Sequence, residues 1–148
     1  LLPEAWYIGL IMGLFLMGAT TTKDFSDIEG DEAYQIRTLP VAYGPNRAAK
    51  MVAPFICLPF LLIPAGGLIG VLTPPDGRWI ELLLLGLGLS LWGAWVAGRI
   101  IIDTEELTKT ENHPAWRHMY YLMILSQVGF VAVYMPTGWV RDLIGDIS

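Results

Sequence analysis

From Met51 to Leu72 the chain runs for 22 residues without a charged side chain. At 1.5 Å per residue a helix of that length reaches ~33 Å, enough to cross the ~30 Å hydrocarbon core of a bilayer. Lipid offers the backbone no hydrogen-bond partners, so a spanning run of this kind has to be helical. Pro54, Pro59 and Pro64 interrupt it. In water each interior proline costs ~3 kcal/mol. In a bundle, neighbouring helices satisfy the freed carbonyls, so the expectation is one kinked helix over about 48–72.

Three more apolar stretches, about 5–20, 79–102 and 115–135, complete a set of four. Trp6, Tyr7, Trp116, Tyr120 and Tyr121 stand at their ends, where aromatic rings sit at headgroup depth. Ala5, Gly9 and Gly13 in the first stretch, and Gly86, Ser90, Ala94 and Gly98 in the third, recur every four residues and predict surfaces for close helix approach. Only 16% of the residues are charged, against about 25% in soluble domains. The predicted fold is all-α: a polytopic membrane helical bundle with four transmembrane helices, forming one membrane domain over 1–148. The chain opens in mid-pattern and without Met, which reads as part of a longer protein. Trp139, Val140, Leu143, Ile144 and Ile147 share a helical face, so 136–148 reads as an interfacial helix.

Four spans place the connections 22–47 and 103–114 on one side. That side and its flanks hold Lys23, Arg37, Arg47, Lys50, Arg99, Lys109 and Arg117; the other holds Arg78 and Arg141. The positive-inside rule makes the first side cytoplasmic. The lone Cys57 excludes an internal disulfide. Glycine-rich phosphate loops, Cys/His metal sets and basic nucleic-acid patches are absent from the sequence, so no nucleic-acid partner is expected.

Directly after the first span, Lys23-Asp24-Phe25-Ser26-Asp27-Ile28-Glu29-Gly30-Asp31-Glu32 packs five acids into ten residues. Asp24, Asp27 and Asp31 are spaced i, i+3, i+7. On one continuous helix they fall within roughly 60° of each other. Three carboxylates on one face repel, and hard oxygen ligands of this kind suit Mg²⁺ that also holds substrate phosphates. The plain alternative is a solvated acidic loop. At a membrane boundary with basic residues nearby, the segment suggests a metal-bridged diphosphate.

Asp24-x-x-Asp27-x-x-x-Asp31, continuing through Gly30, Arg37-Thr38-Leu39-Pro40-Val41 and Gly44, resembles the second aspartate-rich motif of the UbiA superfamily of intramembrane prenyltransferases. Trp116-Arg117-His118-Met119-Tyr120 is similar to the start of that family's last span. The resemblance implies the C-terminal part of a nine-helix bundle. It also implies Mg²⁺-dependent transfer of a prenyl group from a prenyl diphosphate to a hydrophobic acceptor, whether aromatic, tetrapyrrole or lipid. Carried over, Asp27 and Asp31 are the catalytic metal-holding pair and Asp24 a third metal ligand or its neighbour. Lys23 and Arg37 become candidates for diphosphate contact. Glu32 departs from a commonly basic position and Gln35 from a common glycine. The family's first aspartate motif belongs to an N-terminal half that has no match here, so residues 1–148 alone are expected to be inactive. A non-catalytic UbiA-like scaffold subunit is the alternative. His113 and His118 read as polar residues at the interface.

Overall fold

The structure, a computed structural model, describes residues 2–110 and 113–136 together with Gly138. Every described element is helical. The chain forms α1 (Pro3–Thr21), a 3-10 turn (Thr22–Phe25), α2 (Ile28–Ala33), α3 (Leu39–Tyr43) and α4 (Pro45–Cys57). A second 3-10 turn (Leu58–Leu61) leads into α5 (Leu62–Leu68), and α6 (Trp79–Ile102), α7 (Thr104–Lys109) and α8 (Pro114–Tyr134) follow. The tail expected to be interfacial, 136–148, lies outside the described residues, apart from Pro136 and Gly138.

Three rods are long and apolar enough to cross a membrane: α1, the α4–α5 rod and α6. The fourth expected span, α8, has 21 residues and so the required length. It is not among the three because Arg117, His118 and Gln127 make it more polar.

The second span is bent as expected, and the bend has a definite form. Pro54 is carried inside α4, Pro59 forces the tighter 3-10 turn, and Pro64 sits in α5. At this junction Ser90 of α6 donates to the carbonyl of Cys57 at 3.1 Å. The helices α4 and α6 form the central pair, with α1 packed on α4 and α8 on α6. Phe15 and Phe60 meet at 5.1 Å in the core between α1 and the bend.

The small-residue surfaces differ from expectation. On α6 the buried set is Gly86, Ser90, Gly93 and Ala97, while Ala94 is exposed. A spacing of four turns 400°, so three such steps drift 120° around the helix; spacings of four, three and four return the last residue to ~20° from the first. On α1, Ala5, Gly9 and Gly13 are exposed, and the packing face is Ile11, Phe15 and Gly18.

The end of the bundle away from the acidic segment is tied by polar side chains. Glu4 accepts from the Thr73 amide and hydroxyl at 2.7 and 2.6 Å. Arg78 donates to the carbonyls of Ala132 and Met135 at 2.8 and 3.3 Å, satisfying the last turn of α8. The two ends of the bundle thus differ: one is latched, and the other carries the acids.

Candidate site at the polar end of the bundle

The acidic segment is not one continuous helix. The 3-10 turn ends at Ser26, and Asp27 has φ −121° and ψ 23° at the N-cap of α2. Wholly buried Phe25 anchors the turn, and Thr22 bonds back to the Ala19 carbonyl at 2.6 Å. The Asp27 carbonyl accepts the Asp31 amide at 2.8 Å and starts α2. Gly30 leaves room for the Asp27 carboxylate, which would have to turn aside if a Cβ stood there.

The end of α2 sets the far side of the site. The Ile36 amide donates to the Asp31 carbonyl and the Gln35 amide to the Glu32 carbonyl, at 2.8 and 3.1 Å. Gln35 takes φ +58°. This is a Schellman closure with Gln35 at the left-handed position that glycine usually fills. It returns the chain so that Thr38 donates to Asp31 Oδ2 at 2.9 Å. Asp31 is 8% exposed.

Asp24, Asp27 and Asp31 converge, with Lys23, Ser26 and Trp116, on one recess of about 440 Å³. The bend between the two short helices does what a single helical face was expected to do. Burial raises the Asp24 carboxyl above the usual carboxylate range, and the charges of Asp31 and Asp27 add to it. Such a donor set, all carboxylate oxygen with mutual repulsion, fits a hard divalent cation such as Mg²⁺. Among the described residues, Lys23 is the one cation lining this recess. Arg37 is exposed and lies outside it.

A second cavity, about 220 Å³, opens between α1 and α8 where these helices scarcely touch. Phe15, Leu16, Ala19, Met119 and Met123 make it apolar, and it shares Lys23 and Trp116 with the acidic recess. The Lys23 ammonium stands 5.9 Å over the Trp116 ring. Trp116 thus belongs to the site as well as to the interface, and an aromatic at a span terminus gives no sequence signal for that. Thr38 was equally silent, because its role depends on the left-handed turn at Gln35.

The histidines lie elsewhere. Trp92 donates to His118 Nδ1 at 3.3 Å, and the Trp95 ring packs edge-on at 4.8 Å. His113 caps α8, its Nδ1 accepting from the Ala115 amide at 3.2 Å. Asp103, Glu106 and His113 each bring one ligand atom within 4.8 Å of the others. They make a poor metal site. The cap leaves the proton of neutral His113 on Nε2, opposite to the tautomer a metal needs there, and Arg99 already sits 2.8 Å from Asp103 Oδ2.

Membrane-length helices, a cluster of carboxylates at their polar end and an apolar cavity beside it define a class: integral-membrane helical proteins with an acidic recess at one end of the bundle. Comparison with known proteins narrows it. The profile of the UbiA prenyltransferase family matches residues 1–122, and the chain belongs to that family. It is 34% identical over 104 residues to a digeranylgeranylglyceryl phosphate synthase from Methanopyrus kandleri, across 66% of this chain and 37% of the relative. It is 30% identical over 96 residues to the protein of that name from Natronomonas pharaonis, across 57% of this chain and 33% of the relative. The matches therefore span little more than a third of these relatives' own length. No solved structure matches the chain.

Proposed function

We propose that this chain carries one metal-binding face of an integral-membrane prenyltransferase. The enzyme moves a prenyl group from a prenyl diphosphate to the hydroxyl of a lipid acceptor. The observation that carries this reading is the convergence of Asp24, Asp27 and Asp31 on one recess that abuts an apolar cavity. An allylic diphosphate has that shape, a charged head on a greasy tail. The acceptor class is favoured by the relatives' names, which specify a glyceryl phosphate lipid.

Asp27 and Asp31 would hold Mg²⁺, with Asp24 as a third ligand. The ion, when bound, neutralises charge on the diphosphate as it leaves. Lys23 contacts the same oxygens. The cavity walls of Phe15, Leu16 and Met119 orient the first part of the chain and keep water from C1. The C1–O bond to diphosphate breaks, a C1–O bond to the acceptor forms, and the hydroxyl proton passes to solvent. Arg37, outside the recess, receives no contact in this scheme. The positive-inside bias of Lys and Arg favours the cytoplasmic side for the carboxylates. The rest of the enclosure would come from the part of the relatives' length that these matches do not cover.

The test is Asp27→Ala and Asp31→Ala in the full-length protein. Each should abolish Mg²⁺-dependent prenyl transfer while the protein stays folded in detergent. Wild-type turnover in either variant would refute the assignment.

A further inference from the structure

Met12, Leu16, Ala19 and Lys23 are spaced i, i+4, i+7 and i+11, so they share one face of α1 and the turn after it. The last three line the apolar cavity, with Lys23 at the end it shares with the acidic recess. On α8 the facing wall runs from Trp116, at that same end, to Met123. One turn deeper the two helices meet. Ser126 is wholly buried there, and its Oγ lies 3.4 Å from Met12 Sδ. Met12 and Ser126 form the floor of the cavity, at the end away from the carboxylates.

This floor can yield. The Ser126 hydroxyl donates to the Met123 carbonyl at 2.8 Å. A thioether is a weak acceptor, so no strong hydrogen bond fixes the Met12 side chain. Met12 is only partly buried, and its rotatable bonds let it swing. Gly9, nearly a turn further along α1, has nothing within 4 Å of a would-be Cβ, which leaves room beside the helix below the methionine.

The depth of the cavity decides what reaches the floor. From Lys23 to Phe15, both lining residues, the wall extends roughly 12 Å at the helical rise. An isoprene repeat adds four carbon–carbon bonds of ~1.5 Å, about 5 Å of length when staggered. A prenyl chain whose diphosphate sits at the carboxylates therefore fills the cavity with about two repeats, and the third meets Met12. We infer that Met12 is the residue at which the site discriminates prenyl chain length: a donor of two isoprene units stops short of it, and a longer one has to displace it. The inference rests on the prenyl transfer proposed above and adds the side chain that tells donors apart.

The test compares kcat/KM of the full-length protein for allylic diphosphates of two and four isoprene units. Met12→Phe raises the floor. It should lower kcat/KM for the four-unit donor about tenfold or more, the size of a steric misfit in an apolar pocket, and leave the two-unit donor unchanged. Met12→Ala should move the four-unit to two-unit ratio the other way, and Met12→Leu, of similar volume, should keep it. A ratio equal to wild type in both Met12→Phe and Met12→Ala overturns the inference. So does an equal loss for both donors, which marks a residue needed only for folding. Should Met12→Phe fail to fold, Met12→Ala decides alone, and an unmoved ratio overturns the inference. If wild type transfers no prenyl group from either donor, the parent reading fails, and calorimetric binding of the same two diphosphates decides separately. Weaker binding of the four-unit compound alone to Met12→Phe upholds the floor, and equal or absent binding overturns it.

Discussion

Thr38 Oγ1 donates to Oδ2 of Asp31 at 2.9 Å, linking the end of the acidic segment to the residue before α3. Asp31 is nearly buried, so a lost donor there is not replaced freely by water. Leaving a buried charged acceptor short of a partner costs ~1–3 kcal/mol. Thr38→Val should destabilise the protein by about that amount and raise its Mg²⁺ requirement, whereas Thr38→Ser should keep both near wild type. Thermal unfolding in detergent, with a Mg²⁺ titration, reads the two effects.

The left-handed turn at Gln35, φ +58°, is what brings Thr38 back. A side chain in that conformation costs ~1–2 kcal/mol, and glycine escapes the clash. Gln35→Gly should therefore stabilise the protein by up to ~1 kcal/mol, once glycine's greater freedom in the unfolded chain is counted. Gln35→Val, β-branched in the same turn, should destabilise it. Chemical denaturation of the pair against wild type measures both signs.

The folded state raises the Asp24 carboxyl, first by burial and then through Asp31 and Asp27. A raised carboxyl binds its proton more tightly folded than unfolded, so stability falls as pH climbs from the ordinary value of 3.8 through the folded one. Below the ordinary value the favourable contribution is fully present, and above the folded one it is gone. Asp24→Asn should thus stabilise the metal-free protein at neutral pH. The gain should stay within the ~0.2–1 kcal/mol of partly solvated charges. It should also shrink the stabilisation that Mg²⁺ gives to wild type. Melting curves at pH 4 and pH 7, with and without Mg²⁺, separate these outcomes.

How much of this was legible beforehand depended on what each signal encodes. The apolar run of Met51–Leu72 marks a span through composition alone, and the bend at Pro59 follows from a missing amide. The acids at Asp24, Asp27 and Asp31 were readable as a group. Their helix-face geometry was not, because the break at Ser26–Asp27 depends on Phe25 seating in the core. Lys23 and Arg37 look equivalent in sequence, and only the fold brings one to the recess and leaves the other outside. Likewise α8 matched the expected 115–135 in extent while falling short in apolarity.

The glycines of α6 test the packing directly. A Cβ on Gly93 would sit 2.5 Å from the Ile56 carbonyl oxygen and 3.0 Å from Cys57 Cα. Both are backbone atoms of the bent rod and cannot rotate aside. Gly93→Ala should push α6 away from α4, strain the Ser90–Cys57 hydrogen bond and cost ~1–3 kcal/mol, the range for overpacking. Gly98 has nothing within 4 Å of its would-be Cβ. Gly98→Ala should instead stabilise by ~0.5–1 kcal/mol, the helix preference for alanine. Opposite shifts in unfolding would support helix contact through 86, 90, 93 and 97. Equal tolerance at both positions would mean that α6 does not pack on the bend through Gly93.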